Sequence, residues 1–153
     1  SINEILTAND EGPAPLMPFL EKLKNQFLLL YGAEYPIDLK LSGDDLTVSQ
    51  DQATDVALVV NELVSNAYKH AFKGRENGEI RVILKNGERY ASVTVQDNGT
   101  GTEEIRNEGN FAMMLVQMTV KDKLKGKVYV ESGENGTSVT FDFLIDKPTE
   151  TGI

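Results

Sequence analysis

Apolar residues recur at steps of three and four along residues 15–31, where Leu16, Phe19, Leu20, Leu23, Phe27 and Leu30 mark one side of an amphipathic helix ended by Gly32. The period drops to two at 36–41. There Ile37, Leu39 and Leu41 alternate with Asp38 and Lys40, which predicts a half-buried strand followed by a Ser-Gly-Asp-Asp turn. Leu46 and Val48 add a short strand. A second helical period starts from a cap at Ser49 or Asp51 and runs to about Phe72, closing at Lys73-Gly74. Its apolar stripe is Val56, Val60, Leu63, Ala67 and Ala71. Asn77-Gly78 introduces two alternating runs, 79–85 and 90–97, and Asn86-Gly87 between them predicts a hairpin. Residues 102–110 are polar and contain glycine, as a short flap would. Residues 111–124 return to the helical period and offer Met113, Leu115, Val116, Met118 and Val120 to the interior. Gly126 ends that helix, and runs at 127–132 and 137–145 form a closing hairpin. Residues 1–13 read as a connector arriving from upstream and 147–153 as a polar tail.

Composition narrows the function classes. A chain of 153 residues accommodates one domain with a proper core. A net charge of -9 argues against a nucleic-acid surface, since a polyanion is normally met by a basic patch. ATP, handled through one cation and a few local donors, is compatible with that acidity. With no cysteine there is neither a disulfide framework nor a thiolate zinc site, and a single histidine rules out a His-rich metal site. No apolar run has the ~20 residues of a membrane span, and the first residues lack a signal-peptide pattern, so the expected compartment is the cytoplasm, without membrane contact.

Two stretches carry candidate chemistry. In NELVSNAYKH, Glu62, Asn66, Lys69 and His70 fall within an arc of roughly 100° on the second helix, beside its apolar stripe and not opposite it. A carboxylate, a carboxamide, an amine and an imidazole at the rim of a core suit a phosphate-and-metal site. The plainer reading is a solvated helix face with a Glu62/Lys69 pair. The second stretch, Asp97-Asn98-Gly99-Thr100-Gly101, ends a strand. Its glycines let backbone turn sharply and approach a ligand, while Asp97 stands as an acceptor for an exocyclic amine such as that of adenine. Asp-Asn-Gly is equally an ordinary turn.

In their order along the chain, these elements and motifs resemble the Bergerat-type ATP-binding domain shared by histidine kinases, gyrase, the ninety-kilodalton heat-shock chaperone and mismatch-repair ATPases. NELVSNAYKHAF, and LKGKVYVES followed by NGTSVTFDF, look like the catalytic domain of the HWE-like histidine kinases with a short ATP lid. The likeness spans about 16–143. It implies an α+β fold, a two-layer sandwich with a mixed, mostly antiparallel sheet and about three helices on one face. It implies a connector at 1–14, an ATP-binding domain at 15–146 and a tail at 147–153. By the same likeness Glu62 matches a carboxylate that acts as base or orients the nucleophile, and Asn66 a ligand of Mg²⁺. Lys69 and His70 match donors near the phosphates, Asp97 the acceptor for the adenine amine, Gly99 and Gly101 the first glycine box, and Thr137 a threonine near adenine. Ala112 departs from the pattern, standing where a glycine is expected at the entry to the helix after the lid; a methyl there crowds the approach to phosphate.

The only histidine lies in the polar row, so the implied phosphoacceptor is on an upstream dimerisation domain outside this chain. A response regulator is the implied downstream partner, and the isolated domain is expected to be monomeric. Two alternatives stand beside this histidine kinase reading: an anti-sigma-factor serine kinase, disfavoured by the leading helix, and a degenerate nucleotide-binding or interaction module, suggested by Ala112 and the Met-rich helix.

Overall fold

A computed structural model of the chain describes residues 12–101 and 111–146. Five strands form one sheet in the order β2-β4-β5-β7-β6: β2 (Ile37–Gly43), β4 (Gly78–Lys85), β5 (Tyr90–Asp97), β6 (Val128–Gly133) and β7 (Gly136–Leu144). Only the β2–β4 pair is parallel, because a helical crossover joins those two strands. With α1 (Leu16–Tyr31), α2 (Gln50–His70) and α3 (Phe111–Met118), the last continued by a π-helical turn at Thr119–Lys123, this makes an α+β two-layer sandwich. No helix among the described residues is long and apolar enough to cross a membrane.

Side-chain alternation assigns the two faces of the sheet. Ile80, Val82 and Leu84 of β4, Ala91, Val93 and Val95 of β5, and Val139, Phe141 and Phe143 of β7 are all buried. The opposite face is mostly polar, and Thr94 and Thr140 share a 2.8 Å hydroxyl hydrogen bond across β5 and β7. Both inward rows end in polar residues. Asp97 follows Val95, and its cross-strand partner Thr137 precedes Val139, so the period that builds the core also delivers an acid and a hydroxyl to its rim.

Central to the packing is α2, buried along Val56, Val60, Leu63 and Ala67, with Ala71 just past its end, and also at Ala53, Ala57, Val59, Val64 and Tyr68. Of its two candidate caps, Ser49 is the one used: its Oγ accepts from the Gln52 amide at 3.1 Å. Buried Gln52 ties this end to the last strand, donating to the Leu144 carbonyl at 2.7 Å and accepting from the Asp146 amide at 2.8 Å.

Three expectations need correction. Ala14–Pro15 form a two-residue strand, β1, antiparallel to β3 (Thr47–Val48), where the pattern predicts connector and helix. Two residues are too few to show a period. Leu30 is 72% exposed: Phe27 and Tyr31, four apart, take the inward positions on the last turn of α1. On α3 the buried positions are Met113 and Val116, followed by Val120; Leu115 is half-buried and Met118 is 58% exposed, since it lies on the outer side of that 3.6-residue period. The expected flap and tail lie outside the described residues.

Candidate active site

Asp97 is 7% exposed, and Oδ1 accepts both of its hydrogen bonds, from the amides of Gly99 at 2.9 Å and Thr137 at 3.2 Å. Among the described residues Oδ2 has no hydrogen bond, so one oxygen orients the group and the other remains an acceptor. Burial pushes this carboxyl above its ordinary pKa, opposed by the two amides and by the Arg75 charge. Thr137 is 2% exposed, and its hydroxyl lies 2.8 Å from Ser132 Oγ.

The glycine segment is built into the end of α2. Thr100 donates its amide to the Ala71 carbonyl at 2.9 Å, one residue beyond His70. A Cβ on Gly99 would run into that same carbonyl, so only glycine lets the segment lie this close. Gly101 has φ +77° and its missing Cβ faces the Gly133 carbonyl, which brings the β6–β7 turn alongside.

Arg75 was not singled out by sequence reasoning, yet it holds this segment from the side. Its Nη1 donates to the Asn98 carbonyl at 2.8 Å and its Nη2 to the Gly99 carbonyl at 3.5 Å. Asn98 in turn pairs with Glu79, accepting the Glu79 amide on Oδ1 at 2.8 Å and donating its own amide to the Glu79 carbonyl at 3.2 Å. No spacing rule distinguishes Arg75 from a solvated cation; only its place after the helix stop hints at a use.

Glu62, Asn66 and His70 are half-buried on α2, as expected for a row at the rim of a core, and Lys69 is exposed. Glu62 and Asn66 make no hydrogen bond or ion pair among the described residues, so their oxygens stay available. Asp97 and Thr137 line a cavity of about 320 Å³ with residues 131–136 of β6 and its turn, and none of Glu62, Asn66, Lys69 or His70 borders it. By type, the carboxylate, carboxamide, amine and imidazole of the α2 row are groups a magnesium nucleotide would use, because Mg²⁺ takes few protein oxygens and keeps waters and phosphates as its other ligands. Ala112 is the second residue of α3 and half-buried.

The sequence model of the histidine kinase-, DNA gyrase B- and HSP90-like ATPases matches residues 51–147, and the chain belongs to this family. The nucleotide such a domain takes is ATP. Blue-light-activated histidine kinase 2 of Erythrobacter litoralis is 33% identical over 116 residues, covering 72% of this chain and 33% of that protein. The chain therefore spans about a third of that relative. Serine-protein kinase RsbW of Listeria innocua is 44% identical over 102 residues, covering 56% of this chain and 63% of that one. Among solved structures, the histidine kinase domain of the Erythrobacter litoralis blue-light activated kinase superposes with a TM-score of 0.77 at 28% identity, over 86% of this chain and 61% of that one.

Proposed function

We propose that residues 15–146 form the catalytic domain of a sensor histidine kinase, which binds ATP and transfers its γ-phosphoryl group to a histidine on an upstream dimerisation domain. The observation that carries this reading is the buried Asp97, with Oδ1 occupied by two backbone amides and Oδ2 left to accept. Asp97 takes the adenine amine, with Thr137 beside it, and Gly99 and Gly101 let backbone close on the ligand. Lys69 and His70 donate to phosphate oxygens. Asn66 offers its carbonyl oxygen to Mg²⁺, which when bound neutralises charge on the phosphates. Glu62 accepts the proton of, or orients, the attacking imidazole as the new P–N bond forms and the bond to the β-phosphate oxygen breaks, releasing ADP. The rest of the catalysis is positioning. In the cell the domain acts in the cytoplasm, monomeric when isolated, within a phosphorelay whose next member is a response regulator.

The likeness to RsbW supports a second reading, in which the same site phosphorylates a serine of a partner protein. Calorimetry with ATP and Mg²⁺ tests both: no binding up to millimolar removes either kinase and favours a degenerate module, as Ala112 suggests. Incubating the chain with a supplied dimerisation domain then separates the two kinases: a histidine kinase forms acid-labile phosphohistidine on it, whereas a serine kinase specific for another partner leaves it unlabelled.

A further inference from the structure

A second cavity, of about 260 Å³, opens beside the end of α2, between the 72–77 turn and the chain entering β2. Tyr35, Tyr68 and Phe72 give it an aromatic wall, and its rim carries Lys69, Lys73 and Arg75 against one carboxylate, Glu76. Of the proposed nucleotide residues only Lys69 borders it; Glu62, Asn66, His70, Asp97 and Thr137 do not. Three cations outnumber Glu76 at the opening and Asp38 near Tyr68, a local excess of positive charge in a chain of net charge -9.

Tyr68 makes this more than a surface depression. It is 2% exposed, its ring stacks on Tyr31 at 4.7 Å and on Phe27 at 5.9 Å, and its hydroxyl has no hydrogen-bond partner among the described residues. Packing alone calls for a phenylalanine, because a buried hydroxyl without a partner loses its water for nothing. Burial and the nearby Asp38 hold the phenol above its ordinary pKa, so it stays a donor at neutral pH. Tyr35, 38% exposed, meets Tyr68 edge-on at 6.3 Å and forms the outer side of the wall.

We propose that this cavity binds a small aromatic anion, a single-ring carboxylate. Its ring lies against Tyr35 and Phe72, and its carboxylate meets the cationic rim and the Tyr68 hydroxyl on the inner wall. The volume is just under the ~300 Å³ at which pockets begin to hold drug-sized ligands, which limits the guest to one ring. Arg75 links the cavity to the glycine segment, since a carboxylate that recruits this guanidinium competes with the Asn98 and Gly99 carbonyls.

The test is an amide NMR titration of the ¹⁵N-labelled 153-residue chain with benzoate, benzamide and inorganic phosphate in turn. Benzoate should shift the amides of Tyr35, Ile37 and residues 72–77, and through Arg75 those of Gly99 and Thr100. It should bind several-fold tighter than either control, and Tyr68→Phe, which loses no internal hydrogen bond, should weaken it by about five-fold, the value of one ordinary hydrogen bond. Any of three results overturns the proposal: no shifts at these residues with benzoate, equal affinity for benzamide or phosphate, or full affinity in Tyr68→Phe. No nucleotide is present, so the outcome stands apart from the ATP reading.

Discussion

The two stretches that carry candidate chemistry are built differently. At the Asp97 end nearly every polar group is bound within the fold: Oδ1 holds two amides, Thr100 is tied to Ala71, and the Asn98 and Gly99 carbonyls are held by Arg75. Along α2, Glu62 and Asn66 are half-buried and make no hydrogen bond among the described residues. A base has fixed shape and one edge to read, and a rigid acceptor reads it without ordering cost on binding. Phosphates and their cation bring their own geometry and waters, and on the proposed function Glu62 and Asn66 keep their oxygens for them. On the proposed function, recognition falls to the glycine segment and chemistry to the helix.

That division is broken first at Glu62. Glu62→Gln keeps size and helix propensity and removes the basic site, so ATP affinity should hold while single-turnover transfer to a supplied dimerisation domain falls by something on the order of 10²-fold or more. Equal transfer by the variant would take Glu62 out of the chemistry. Asp97→Asn tests the other end. Its carbonyl can still accept from Gly99 and Thr137, but an NH₂ replaces Oδ2, and the mismatch with an adenine amine should cost about 1–3 kcal/mol of ATP affinity in calorimetry. The variant should fold at least as well at neutral pH. A carboxyl whose folded pKa is raised contributes stability below its unfolded pKa that is lost as pH rises through the folded value, and the amide has no such loss.

Arg75→Gln sharpens the comparison through pH. Besides the amides of Gly99 and Thr137, Arg75 is the group that lowers the Asp97 pKa; without it burial acts less opposed, and the folded pKa rises further. ATP affinity, which needs the ionised acceptor, should then decline at a higher pH on acidification than in the parent, alongside a loss of a few-fold at neutral pH from the looser glycine segment. An unchanged pH midpoint would reduce Arg75 to a surface cation. The smallest effect belongs to the far end of α2, where Ser49→Ala removes the cap and should lower unfolding free energy by about 1 kcal/mol while leaving nucleotide affinity intact. A loss of affinity there would mean that the helix register reaches the site.

Local pattern alone was enough for α1, α2 and both hairpins, because periods of 3.6 and two are imposed by backbone geometry and by the need to bury one face. It was enough, too, for the polar row on α2 and for Asp97 at a strand end, since the period that turns Val93 and Val95 inward turns Asp97 inward with them. It failed where an element is too short for a period, as at Ala14–Pro15, and where apolar residues outnumber inward positions, as at Leu30 and Met118. Only the tertiary structure decided what surrounds the candidates. Thr137 reaches Asp97 because β5 and β7 are neighbours, although 40 residues separate them, and Gly99 must be glycine because α2 ends against it. Arg75 gains its role because a loop after one helix crosses the end of a distant strand. These are contacts between parts far apart in the chain, and no local period encodes them.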